Sequence, residues 1–539
     1  MDAAGSVFIS ERAATTTDET IFSHGYSGIP IAKRWVLAHG SVLSRSAERS
    51  RQILDFVDAS SPGELTLLEP YGQLFGDVTF LIRRDHDSST EHWEGKPFAL
   101  WKCALLSDTM KSLSTNWSFR TGEKFDRAFL PVLLLIARSS PTPSLRTGDQ
   151  LLCESSDNGF TGRRRRGETA QEDEGEIGDI LLGLAKESAI GAPAKGSTVE
   201  IFSTPFGNPF FSNTVARGIV GNLLGKKECL MLIDAAVFPG CQGAPVYSFD
   251  NRARKTVCGM VIASSCWCRG ERIDYTFAIN LQASLNELLV RGSISSPVLL
   301  SARGTDRNDK IGILERSIAI VRCGPNWGTG ILLDDRTGTF ITCAHVVARA
   351  PETRIELASH IASRRNKSEW TAEAKLIYKT PDNKPYDIAV LKMDLKCKET
   401  SMKAIKLADR PVMNGEPILS IGFPFCSTAK ATISNGIISK SSRYMLQTNC
   451  YAQSGVSGGP IVRPASLEML GMIVCNTVSS SDETAYPRLS MAIPTNIFKG
   501  PLDHYLRTTD PKALENLTQR DEIIAETWNF RSPFLRSNM

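Results

Sequence analysis

The sequence predicts an all-β protein built from two tandem copies of one β-barrel module, the first copy degenerate. Three observations predict it. Short runs of Val, Ile, Leu and Phe recur along the chain, each closed by Gly, Pro, Asn or Ser, as in "GTGILLDD", "EPILSIGF" and "LGMIVCN". One loop pattern occurs twice, as "GCQGAP" from Gly240 and "GVSGGP" from Gly455. At 539 residues, the chain is too long for a single core.

The repeat extends on both sides of the loop. "KGSTVEIFSTPF" lies on "NGEPILSIGFPF" without a gap, pairing Gly196 with Gly415, Pro205 with Pro424 and Phe206 with Phe425. "ARGIVGN" then lies on "SNGIISK", "CGMVIAS" on "LGMIVCN", and "FAINLQASLNELL" on "MAIPTNIFKGPLDHYL". Matches in the same order with small offsets predict a first domain over 1–295, a linker over 296–312, a second domain over 313–508 and a tail over 509–539. Each copy reads as strands with little helix, apart from a closing helix at "PTNIFKGPLDHYL" with Thr495 as its cap. Residues 138–180 read as a charged insert. Arg163 to Arg166 are followed by Glu168, Glu172, Asp173, Glu174 and Glu176, so the stretch neutralises itself and reads as a solvated loop.

Composition narrows the function classes. With 62 basic and 58 acidic residues the net charge is +4, a balance that argues neither for nor against nucleic acid, which is not expected as a partner. The first twenty residues have neither a basic n-region nor an apolar h-region, so no secretory leader is expected. The longest apolar run, Phe129 to Ala137, falls short of the roughly 20 residues of a membrane span. The thirteen cysteines fit a reducing or mildly redox compartment, and none stands at zinc-site spacing. No metal or cofactor is expected.

The chemistry lies in the second copy. Gly-Val-Ser-Gly-Gly-Pro at 455–460 asks for a tight turn around Ser457, because glycine reaches torsions that other residues resist. The N–H groups of Gly455 and Ser457 are expected to converge as an oxyanion hole. A serine hydroxyl needs a base against it, and the base needs an orienting carboxylate. "FITCAHVV" supplies His345 at the end of one strand, and "YDIAVLKM" supplies Asp387 at the head of another. The base works neutral, so activity is expected to fall as pH drops through the histidine pKa. In the first copy, "RWVLAHGSV" aligns His39 with His345 and "FDRAFL" aligns Asp126 with Asp387. There Gln242 replaces the serine, and Cys241 stands one residue early. That copy is expected to hold the loop without cutting.

"TCAHVV", "YDIAVLK" and "GVSGGPIV" together resemble a chymotrypsin-fold serine protease, closest to the Deg/HtrA branch, over 313–508. The resemblance refines the fold to two tandem chymotrypsin-like double β-barrel modules, the N-terminal one degenerate. It implies an endopeptidase that works through an acyl-enzyme, with His345, Asp387 and Ser457 as its triad. It places Tyr451 in the substrate pocket, six residues before the serine, with Cys475, Asn476 and Thr477 as a wall. That pocket suits a small or modest uncharged side chain. The residues after 508 are too few for the PDZ domain of typical Deg/HtrA members.

Ser537, Asn538 and Met539 form a loose variant of the Ser-Lys-Leu peroxisomal address. With a degenerate half ahead of an active one, the arrangement resembles the peroxisomal processing branch of these proteases. That resemblance implies a peroxisomal matrix enzyme that removes N-terminal targeting leaders, cuts β-oxidation enzymes, cleaves itself and self-associates. It implies the import receptor as a partner at the C-terminus, besides protein substrates. Two rival readings stand beside it. One is a Deg/HtrA-like quality-control protease outside the peroxisome, in the cytoplasm or another organelle. The other is a non-catalytic pseudoprotease scaffold.

Overall fold

The computed structural model describes residues 5–11, 25–44, 50–85, 89–113, 117–119, 124–139, 168–250, 252–268, 271–291, 309–350, 353–362, 367–382, 384–393, 402–424, 430–478, 485–518 and 522–529. The chain divides into two compact units, Met1–Ala302 and Arg303–Met539. Each unit contains two barrels of six antiparallel strands.

In the second unit, one barrel is built from Ile318–Cys323, Asn326–Asp334, Thr339–Thr342, Ile355–Ala362, Lys367–Lys379 and Ala389–Met393. The other is built from Pro417–Gly422, Thr432–Ser441, Leu446–Thr448, Pro460–Val462, Met469–Val478 and Ala485–Pro494. In the first unit, one barrel comprises Val7–Glu11, Gly25–Pro30, Trp35–His39, Phe80–Asp85, Thr90–Lys102 and Val132–Arg138. The pairing of Thr90–Lys102 with Val132–Arg138 closes it. Thr198–Ser203, Thr214–Leu224, Leu230–Ile233, Pro245–Phe249, Lys255–Ala263 and Thr276–Asn280 close the other. With strands counted in chain order, all four barrels close in the order 1-2-3-6-5-4. The chain is therefore all-β at its cores, two double-barrel modules in tandem. Closure pairs each barrel strand on both sides, and apolar side chains fill the interiors.

Helix is more abundant than the sequence suggests, and most of it lies in the first unit. Ser50–Ala59, Ala104–Leu113 and Leu281–Arg291 are helical. The charged insert is not loop throughout, since a helix covers Glu168–Ile190. Ile177, Leu181, Leu184 and Ala185 recur at helical spacing and are buried, against Leu281–Arg291 and Lys255–Ala263. The acidic Glu176 accepts from the Trp35 indole N–H at 3.3 Å, which ties the helix to the first barrel. The four-arginine run lies outside the described residues.

The closing helix of the second unit spans Thr495–Thr508, with Pro494 rather than Thr495 at its cap position. Thr495 is its first helical residue and makes no side-chain cap. Beyond it, Pro511–Leu517 and Glu522–Asn529 are helical and packed, so this part of the tail belongs to the unit. Ser537, Asn538 and Met539 lie outside the described residues. No helix among the described residues is long and apolar enough to cross a membrane.

Candidate active site

Strand pairing brings His345 to Asp387. Thr342, the last residue of Thr339–Thr342, pairs with Ala389, the first of Ala389–Met393. The residues just after one strand therefore face those just before the other. A short 3₁₀ turn, Ala344–Val347, carries His345 out of the barrel. Its backbone N–H donates to Asp387 Oδ1 at 3.0 Å, and its ring Nδ1 contacts Asp387 Oδ2. That contact leaves Nε2 as the nitrogen facing outward, as a general base requires. Half of the His345 side chain is exposed. Partial burial works to lower its pKa, but the Asp387 hydrogen bond and charge outweigh this and hold it above the ordinary value of 6.5.

Ser457 belongs to the other barrel of the same unit. Gly455 and Gly458 adopt φ of +93° and +85°. A Cβ on Gly455 would lie 2.2 Å from both the Phe423 carbonyl oxygen and the Trp327 indole nitrogen, so the turn admits no side chain there. The N–H groups of Val456, Gly458 and Gly459 donate to Gln453, Ile473 and Val456 carbonyls. Those of Gly455 and Ser457 have no acceptor among the described residues. Among the described residues the turn thus leaves two adjacent-but-one N–H groups without an acceptor, the condition that an oxyanion hole would need. Gly328 sits between the two barrels' contributions, since a Cβ on it would lie 2.5 Å from Val346 Cγ2 and 2.9 Å from the Ser457 carbonyl oxygen. The Ser457 hydroxyl donates to the Val474 carbonyl at 3.0 Å.

The first unit repeats the turn without the chemistry. Gly240 and Gly243 have φ of +90° and +86°, matching Gly455 and Gly458. Ser27 N–H donates to the Gln242 carbonyl at 3.0 Å, as Thr329 N–H donates to the Ser457 carbonyl at 2.8 Å. Gln242 therefore stands at the serine position. Its Oε1 accepts the Gly240 N–H at 3.0 Å and so occupies the donor that matches the Gly455 N–H.

The histidine and aspartate alignments of this unit require correction. Ser27 matches Thr329, Ile29 pairs with Leu37, and Ile331 pairs with Ile341, so Leu37 matches Ile341. His39 then falls on Cys343, and Ser41 falls on His345. Leu37 pairs with Leu135 and Ile341 with Val390, so Val132 matches Asp387. Asp126 lies inside the helix Lys124–Phe129 instead. His39 is buried, with Nε2 on the Leu130 carbonyl at 3.1 Å and Nδ1 on the Ser41 hydroxyl at 2.8 Å. Burial pushes its pKa down to about 4, against a lesser upward pull from the Leu130 bond. The first unit has no base, carboxylate or nucleophile at the three positions.

Around the second site, Tyr451 is buried, and the Arg488 guanidinium lies 4.6 Å from its ring centroid. Cys475 is exposed, and desolvation together with the Asp387 charge pushes its thiol up to about 11. Asn476 lies in the strand Met469–Val478, and its side chain is outside the described residues. A groove of about 350 Å³ opens beside the histidine, lined by His345, Asp387, Thr380, Asp382, Lys384 and Tyr386, among others. Donor atoms of Cys343, His345 and Asp387 lie within 4.8 Å of one another. Burial holds the Cys343 thiol protonated, and it donates to the Ile473 carbonyl at 3.3 Å, so it is a poor metal ligand as it stands.

The second unit thus pairs two six-strand barrels, with a histidine–carboxylate pair on one and a serine in a glycine turn on the other. Residues 328–472 match the model of the trypsin-like peptidase domain. The chain resembles the peroxisomal leader peptide-processing protease of Mus musculus, 29% identical over 392 residues, which cover 69% of this chain and 65% of that one. Its counterpart in Homo sapiens is 27% identical over 366 residues, 64% of this chain and 62% of the relative. The match thus spans just under two thirds of either relative's length. A probable periplasmic serine endoprotease, DegP-like, from Buchnera aphidicola is 27% identical over 180 residues, 32% of this chain and 34% of the relative.

Proposed function

We propose that the chain is an active serine endopeptidase of the peroxisomal matrix that removes targeting leaders from imported proteins. Ser457 rotates from the Val474 carbonyl toward His345 Nε2 and attacks the scissile carbonyl. His345 takes the serine proton and later returns it to the leaving amine, while Asp387 holds the ring and stabilises its protonated form. The oxyanion is received by the N–H groups of Gly455 and Ser457. Such a donor typically lowers the barrier by roughly 3–4 kcal/mol. Water then releases the acyl group from Ser457. The observation that carries the reading is the pair of N–H groups, those of Gly455 and Ser457, that find no acceptor among the described residues, in a turn where the N–H groups of Val456, Gly458 and Gly459 are paired.

Leader removal and the peroxisomal matrix are supported by the names of the two mammalian relatives. Cleavage of β-oxidation enzymes, self-cleavage, self-association and capture by an import receptor rest on the family resemblance. The domain limits at 295, 313 and 508 belong to the same reading. The pocket for the residue before the cut bond is proposed at Tyr451, Cys475 and Asn476, on the family resemblance.

The test of activity is fluorophosphonate labelling of the purified chain. A label on Ser457 that disappears in Ser457→Ala is expected, and a folded chain that takes no label would return the scaffold reading. The DegP-like match favours one alternative, a quality-control protease outside the peroxisome. Placing the final residues behind a fluorescent reporter separates them: punctate peroxisomal signal is expected, and a diffuse signal favours the alternative.

A further inference from the structure

The triad is divided between two barrels, with His345 and Asp387 on one and Ser457 on the other. Its alignment therefore depends on what fixes one barrel against the other. The C-terminal helix Glu522–Asn529 is bonded to both. Its Trp528 ring packs edge-on against Tyr386, with centroids 6.1 Å apart. Tyr386 is 1% exposed, precedes Asp387 directly and lines the groove beside His345. The Trp528 indole N–H donates to the Tyr444 carbonyl at 3.3 Å, in the turn between Thr432–Ser441 and Leu446–Thr448 of the other barrel. One side chain thus touches the neighbour of Asp387 on one side and the serine's barrel on the other. Ile524 anchors the helix in the interior, and the Thr518 hydroxyl meets that of Tyr378 on the first barrel's strand Lys367–Lys379.

We infer that Trp528 is a positioning residue for the reaction: through Tyr386 it fixes Asp387 against His345, and through Tyr444 it sets that pair against the serine's barrel. The inference rests on the serine-peptidase reading. A misplacement of about 1 Å made far from the chemistry is enough to cost orders of magnitude in rate. The Ser457 hydroxyl must also leave Val474 to meet the histidine, so the reaction is sensitive to how the barrels are set.

The experiment compares Trp528→Ala and Trp528→Phe in the full chain. The readouts are kcat and KM on a peptide substrate, the fluorophosphonate labelling rate and the pH profile of kcat/KM. Near-ultraviolet circular dichroism reports the fold. Trp528→Ala should lower kcat and the labelling rate about tenfold with KM within about twofold. Its acidic limb should move to lower pH, because a looser Asp387 holds the imidazole proton less firmly. Trp528→Phe keeps a ring on Tyr386 and should recover the position of the limb, while its kcat stays below that of the native chain. If the alanine variant does not fold, Trp528→Leu takes its place in the comparison. A folded variant with native kcat, labelling rate and acidic limb overturns the inference. So does a loss that appears wholly as a raised KM. A native chain that takes no label counts against the serine-peptidase reading itself, which keeps the two failures distinct.

Discussion

His345 and His39 are the same residue type under opposite physics. His345 stays half exposed and receives a carboxylate, so its pKa rises above 6.5. His39 is buried on a carbonyl and a hydroxyl, so its pKa falls to about 4 and it stays neutral. On the proposed mechanism, activity requires the neutral form of His345. It should be full well above that raised pKa and lost as pH falls through it. Asp387→Asn removes both influences that raise the pKa and leaves burial, which lowers it. The variant should lose about ten thousandfold in kcat, and its residual activity should persist to lower pH than the native enzyme's; a pH–rate profile of both measures this. At the other site, Gln242→Ser introduces a nucleophile and frees the Gly240 N–H. Ser41 and Val132 still stand where a base and a carboxylate are needed. Placed on a Ser457→Ala background, it should take no fluorophosphonate label, as read by mass spectrometry of the first-unit peptides.

At the scale of elements, the helix Glu168–Ile190 shows how composition misleads. Its opening turns are crowded with acid, yet Ile177, Leu181 and Leu184 mark a buried stripe. Leu181→Ala should cost about 2–5 kcal/mol in the first unit's stability, measured by urea unfolding, with the labelling of Ser457 as a control. The strand bearing His39 misleads differently. Sliding a strand by two residues keeps every side chain on its own face, so the apolar pattern cannot distinguish two such alignments. "LAHGSV" can be laid on "CAHVV" by its letters, but the pairing ladder moves the histidine position to Ser41. The glycine turns were legible for the opposite reason. Positive φ at Gly240, Gly243, Gly455 and Gly458 is a local demand that few other residues meet.

Across the whole molecule, each unit has its own filled barrel interiors, so unfolding should not be a single two-state event. Gly243 and Gly458 offer a matched pair of probes. A Cβ on either would lie 2.0 Å from a strand carbonyl oxygen, that of Ser27 or of Thr329. Each alanine variant should cost about 1–3 kcal/mol from its backbone torsion alone, and more from the clash. Differential scanning calorimetry of the native chain should resolve two transitions. Gly243→Ala should lower one of them and Gly458→Ala the other; a single transition lowered by both would show the units to be one cooperative body.

The sequence by itself determined the two copies, the barrel class, the contrast between Gln242 and Ser457, and the positions of His345 and Asp387 in the chain. These follow from patterns that repeat locally: short apolar runs, fixed glycine spacing, and a histidine and an aspartate at strand ends. The tertiary structure alone decided which residues meet. Strand pairing brought Asp387 to His345, and it left Ser41 and Val132 at the corresponding places in the first unit. The amide of Gln242 turned back onto the Gly240 N–H, the Ser457 hydroxyl onto Val474, and Trp528 onto Tyr386 and Tyr444. These contacts join residues whose relation depends on ladder register, side-chain rotation and how two barrels are joined, and none of those leaves a periodic trace in the order of the residues.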